Sequence, residues 1–155
     1  MTTGRGPGHS LVLYRPSARG DDTLRRLCLA AREQGRRITV LALAPEERPP
    51  RGCCDTRSVL WNRICRELAG DHLARAAQLV DRHRGVDFGV LVARVGRADE
   101  ALAGEALARG ADEIVLADPR ASGLGRLELR RLRRRSPVAV SAGRGRKDPA
   151  LLERV

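Results

Sequence analysis

The sequence predicts an α/β domain, an open parallel five-stranded sheet with helices on both faces. Five short apolar runs alternate along the chain with amphipathic stretches of helical period. The runs are continuously apolar rather than alternating, as expected of strands covered on both sides. The length, 155 residues, suits one domain with one core.

The elements follow in order. Ser10–Tyr14 (SLVLY) reads as a buried strand, broken by Pro16 and Gly20. Asp21 or Asp22 is placed to cap a helix, since a carboxylate there accepts free backbone N–H groups. Leu24, Leu27, Cys28 and Ala31 then share one helical face, and Gly35 is placed to end the helix. RITVLALAP (37–45) is a second strand, and the polar, Pro-rich residues 46–57 read as a loop. A helical pattern runs from Ser58 to about His83, with Gly70 placed to break or bend it. VDFGVLVARV (86–95) is a third strand. A short helix over 98–110 ends at Gly110, and DEIVLADP (112–119) is a fourth strand. A basic helix over 124–135 leads to a fifth strand, SPVAVS (136–141). Residues 1–9 form a loose basic tail, 10–141 the domain and 142–155 a basic C-terminal tail with one helical turn around Leu151.

Composition narrows the functions. Aromatic residues are 2% of the chain, so the core is built from Leu, Val, Ile and Ala. The same scarcity argues against recognition of single-stranded nucleic acid, which needs aromatic stacking platforms. The net charge of +11 is almost all arginine and attracts polyanions, although an Arg-, Ala- and Gly-rich compositional bias would give the same number. No apolar run reaches the ~20 residues needed to span a bilayer, and the N-terminus lacks a signal-peptide pattern. The expectation is a cytoplasmic protein with reduced thiols and no membrane partner.

No metal site is expected. The four cysteines form no Cys-x-x-Cys pair, and His72 and His83 are about 16 Å apart along a helix. Cys28 and Cys65 sit at core spacing. Cys53 and Cys54 are adjacent in a polar stretch, where Arg51 and Arg57 would lower a thiol pKa; they are redox candidates, or two ordinary thiols. No serine has a nucleophile-elbow context, and Asp99, Glu100, Asp112 and Glu113 read as cap and strand-entry charges. Catalytic residues are therefore not assigned, and the chain is expected not to be an enzyme, weak ATPase activity aside.

Three segments, RITVLALAP, VGRADEALAGEALARGADEIVLADP and SPVAVS, resemble the universal stress protein family in content and order. The resemblance covers roughly residues 10–141 and implies a Rossmann-like sheet of strand order 3-2-1-4-5. ATP-binding members carry Gly-x2-Gly-x9-Gly-Ser/Thr after the fourth strand, because phosphate oxygens need close approach to bare backbone N–H groups. Here Ser122, Gly123, Leu124, Gly125, Arg126, Leu127 and Leu129 lie in that stretch, but the signature positions fall on Ala117, Arg120, Arg130 and Arg131. The acidic residue usual after the first strand falls on Arg15, followed by Pro16 in place of Gly; Ser17 fits. The resemblance thus implies a degenerate member with no cofactor held in the usual way. The remnant loop is Arg15, Ser17, Arg120, Ser122, Gly123, Gly125, Arg130 and Arg131. Either the site has decayed, or its arginines bind a different anion, with ATP or another adenine nucleotide as the alternative ligand.

The resemblance also implies a homodimer through the last strand, at Val138 and Val140, which would hide an exposed edge. Between Arg120 and Arg135 there are seven arginines and one acidic residue, Glu128. Helical spacing puts Arg126, Arg130, Arg133 and Arg134 on one side, and Leu124, Leu127 and Leu132 towards the other. That stripe is either a solvated face or a surface for nucleic-acid phosphate or an acidic protein. Three functions are therefore expected: a stress-response or regulatory domain acting through dimerisation or partners, a nucleotide-binding protein with a remodelled loop, and a nucleic-acid-binding accessory protein.

Overall fold

A computed structural model describes residues 8–48, 56–80 and 85–143. The elements are β1 (His9–Leu13), α1 (Ala18–Gln34), β2 (Arg37–Glu46), α2 (Thr56–Leu79), β3 (Val86–Arg94), α3 (Ala98–Ala108), β4 (Glu113–Leu116), α4 (Arg126–Arg135) and β5 (Ala139–Ala142). The strands form one parallel sheet of order β3-β2-β1-β4-β5, as expected.

Alternation along the strands sorts the apolar side chains between two helical layers. Val12 of central β1 and Tyr14, just beyond it, join Leu24, Cys28 and Ala31 of α1 and Ala76 of α2 on one face. Leu11 and Leu13 join Leu102 and Ala106 of α3 and Leu132 of α4 on the other. Val12 lies between Val40 and Val115, so the middle of the sheet is a branched aliphatic stack. Alanines do much of the helix packing on α2, where Ala69 and Ala76 let the backbone lie close to β2.

Several local expectations are corrected. The cap of α1 is Ser17, not Asp21 or Asp22: its hydroxyl accepts from the Gly20 N–H at 2.8 Å, and the cap stands four residues ahead of Asp21. Asp21 is instead buried in the first turn. His9 is no tail residue but the first of β1; its Nδ1–H donates to the Arg109 carbonyl, leaving Nε2 to accept from the Thr39 hydroxyl at 2.7 Å. Gly70 does not interrupt α2, because packing of Ala69, Leu73 and Ala76 on either side of it holds the helix continuous. The strand expected over 136–141 starts only at Ala139, since Ser136 spends its hydroxyl on Val138 in a turn. Leu127, expected inward, is 63% exposed. Glu128 turns towards α3 to accept from the Ala98 N–H, and that rotation carries Leu127 out.

Gly143 locks β5 to the domain. Its N–H donates to the Leu116 carbonyl and its carbonyl accepts from the Thr23 hydroxyl. A Cβ there would collide with the Ala117 carbonyl oxygen, so only glycine allows this approach. Cys28 is core, and burial pushes its thiol up to about 11. Cys53, Cys54, His83 and Leu151 lie outside the described residues. Among the described residues, no helix is long and apolar enough to cross a membrane.

Candidate functional site

Strand order reverses between β1 and β4, so the carboxyl ends of these strands flank the crevice where ligands of open α/β sheets sit. Here a direct hydrogen bond spans it. Ser17, following β1, donates its hydroxyl to Asp118 Oδ2, following β4, at 2.8 Å. The backbone N–H of Arg120 donates to Asp118 Oδ1 at 3.1 Å. The Ser17 hydrogen bond, helped by Arg120, outweighs burial and holds the Asp118 carboxyl below the usual carboxylate range. At neutral pH the crevice therefore contains a fixed negative charge.

Beside the crevice is a cavity of about 200 Å³ over the ends of β1 and β2. Tyr14, Arg15, Leu43, His72, Ser122 and Gly123 line it, with Cys65 and Leu68 of α2. Gly123 has φ +84°, which its place in the loop requires; a Cβ there would stand 3.9 Å from Arg15 Nη1 and 3.3 Å from a Leu43 methyl. The Arg15 guanidinium thus stands over the loop that carries the glycine. Burial, then the nearby Arg15 charge, push the His72 imidazole below its ordinary value despite Asp71. Burial, then Glu47, push the Cys65 thiol up, so neither side chain is poised as a nucleophile pair.

The floor of the site is tied to both neighbouring helices. The Tyr14 hydroxyl donates to Asp21 Oδ1 at 2.6 Å, and Arg75 of α2 donates to Asp21 Oδ2. Burial raises the Asp21 carboxyl, but the hydrogen bonds from Arg75 and Tyr14 win and hold it below its ordinary value. Burial, then the bond to Asp21, raise the Tyr14 phenol well above 10.

The expected loop residues divide. Arg15, Ser122 and Gly123 meet at the cavity, and Ser17 closes the crevice. Buried Ser122 shapes its own turn, accepting from the Leu124 N–H and donating to the Pro119 carbonyl. Gly125 caps α4, Arg130 is exposed on that helix, and the Arg120 side chain is exposed. Arg131 points away from the crevice altogether: it donates to the Gly96 carbonyl and pairs with buried Asp99 at 3.4 Å, clamping α4 to α3. Tyr14 and Asp118 were not singled out in the sequence, and His72 was weighed only as a metal ligand. Asp118 sits one residue after a signature position, and its side chain is decisive only because Ser17, 101 residues away, meets it. Among the described residues, no group of three His, Cys, Asp or Glu side chains is placed to hold a metal.

No family model matches the chain, and no curated protein matches it in sequence. Solved structures do match in fold. The universal stress protein UspA from Lactobacillus plantarum has a TM-score of 0.67 at 12% identity, covering 88% of this chain and 98% of that one. A universal stress protein from Archaeoglobus fulgidus, solved in complex with dAMP, gives 0.57 at 17% identity, covering 88% and 97%. A universal stress protein solved in complex with cAMP gives 0.58 at 14% identity, covering 88% and 97%. With these structures matched over nearly their whole length, and the sheet order β3-β2-β1-β4-β5, the chain has the universal-stress-protein fold.

Proposed function

We propose that this chain is a non-enzymatic, cytoplasmic regulatory domain of the universal-stress-protein type that does not hold ATP in a glycine cradle. One observation carries the reading: the Ser17–Asp118 bond puts an ionised carboxylate across the crevice, where a polyphosphate would need bare N–H donors. Two further facts support it. The adjoining cavity of about 200 Å³ is smaller than the roughly 300–1,000 Å³ of ordinary small-molecule sites. The arginine at position 131 is committed to α3.

A thermal-shift series with ATP, ADP, AMP and cAMP tests it. A ligand bound only by the folded chain at a hundred times its Kd adds about 2.7 kcal/mol, or a rise of at least about 5 °C for a domain of this size. ATP is expected to move the midpoint by less than about 1 °C. A saturable rise with ATP would sink the reading. A rise with AMP or cAMP alone would favour a remodelled nucleotide site around Arg15, Ser122 and Gly123.

Dimerisation through β5 is the second part of the reading. β5 is an edge strand, and Val138 and Val140 pack half-buried against the α3–α4 layer, so pairing would be through the backbone. Gly143 N–H points to β4. By the alternation of a parallel ladder, Ala142 N–H faces the open edge. Sedimentation should give a dimer for the natural sequence and a monomer for Ala142→Pro, which removes that donor while sparing the ladder to β4. A monomer at every concentration, or an unaffected dimer in the variant, would remove this part.

A further inference from the structure

α1, α2 and α3 each hold a local arginine ion pair, although Arg19, Arg25 and Arg32 of α1 stand outside one among the described residues; the outer face of α4 holds none. Arg26 pairs with Asp22 on α1 at 2.8 Å, and Arg63 with Glu67 on α2 at 3.1 Å. Arg109 pairs with Glu105 on α3 at 2.7 Å, and Arg97, at its start, with Glu100. On α4 the one carboxylate, Glu128, is turned inward, accepting from Ala98 N–H at 2.8 Å and Gly125 N–H at 3.2 Å. Arg126, Arg130, Arg133 and Arg134 are exposed on the outer face, and no carboxylate among the described residues pairs with them. A bias towards arginine in the whole chain explains how many there are, but not why acidic partners are withheld from this helix.

We propose that the outer face of α4 docks on the phosphate backbone of duplex nucleic acid. Four guanidinium groups span about 12 Å of helix axis, and a duplex offers about one phosphate charge per 1.7 Å. Unpaired guanidinium groups grip phosphate oxygens bidentately without first breaking an internal ion pair. Single strands fit poorly, because this face has no aromatic side chain: Tyr14 is buried, and Trp61 lies on α2, in the opposite layer. With its arginines engaged on phosphates rather than on guanine edges, and with no Asn or Gln to read adenine, α4 binds nearly independently of sequence. This surface is separate from the crevice and holds whether or not a nucleotide binds there.

Fluorescence anisotropy with a short labelled DNA duplex tests the docking on the full chain. Four phosphate contacts predict a log–log salt slope of about −3.6, an affinity loss of about 10²-fold between about 50 and 200 mM salt. The variant Arg126→Gln/Arg130→Gln/Arg133→Gln/Arg134→Gln should lose most of that slope and bind at least about 10-fold more weakly at low salt. Replacing the same four residues with lysine should keep the slope. The double variant Arg126→Gln/Arg130→Gln should lose about half of it, which gives a reading even if the quadruple variant folds poorly. A charge-matched control, Arg25→Gln/Arg32→Gln/Arg48→Gln/Arg94→Gln, should stay within about 3-fold of the natural sequence. Equal losses in control and α4 variants would reduce the effect to net charge and overturn the proposal. So would absence of duplex binding, or tighter binding to poly-glutamate, which would point to an acidic protein.

Discussion

Leu132→Ala is expected to destabilise the domain by about 3 kcal/mol, within the range for buried leucine truncations. For a chain of this size that lowers the thermal midpoint by about 6–12 °C. Leu132 is the one buried residue of α4, 1% exposed and packed in the same cluster as Leu102, Ile114 and Leu116. The rest of α4 offers little to replace it. The helix has ten residues, too few to be stable in isolation. Five of its six arginines have no acidic partner among the described residues, and they repel one another. Beyond Leu132, α4 is held by half-buried Leu129, which packs on the edge of the same cluster, and by the polar contacts of Arg131 and Glu128. The loss should therefore be local first. Amide exchange should accelerate in α4 before α1 and α2. Leu127→Ala, on the exposed side, should change stability by no more than about 0.5 kcal/mol. Uniform acceleration across the domain, or equal effects of the two substitutions, would contradict this picture of α4 as a helix held mainly by Leu132.

Asp21→Ala carries the second-largest expected effect, a loss of about 2 kcal/mol at pH 7, chiefly because the Tyr14 hydroxyl would be left in the core without an acceptor. Tyr14 is 1% exposed, so no water replaces the lost partner. Tyr14→Phe, which removes the hydroxyl but leaves Asp21 with Arg75, should cost only about 1 kcal/mol. The pH dependence separates the carboxylate from simple packing. Asp21 is held below its ordinary pKa in the folded state, so its contribution is complete above the unfolded value of about 3.9. It is lost as pH falls through the lower folded value. The difference between Asp21→Ala and the natural sequence should therefore narrow in acid. Urea denaturation at neutral pH and again below about pH 4 checks it. A gap that stays constant to the lowest pH at which both proteins fold would mean that the charge contributes nothing.

Most of the architecture was legible in residue order. The five apolar runs became the five strands, and Leu24, Cys28 and Ala31 face the core at their helical spacing. The resemblance supplied the strand order that the runs alone did not. The site was legible only in part. Arg15, Ser122 and Gly123 do meet, but Arg131 stands in the signature stretch of the sequence and points elsewhere, because Asp99 and Gly96 draw it onto α3. The start of α1 was expected to be capped by Asp21 or Asp22. Ser17 took the role because Tyr14 and Arg75 had already claimed Asp21.

By itself, the sequence determined the alternation of strand and helix, the aliphatic core and the arginine excess on α4. These are periodic or compositional properties, carried by neighbours within a few residues. Only the tertiary structure decided that the crevice is bridged by Ser17 and Asp118, and that Glu128 turns inward and leaves the α4 arginines unpaired. Each of those outcomes depends on a hydrogen bond between residues 30 or 101 positions apart, and no local pattern encodes such a meeting.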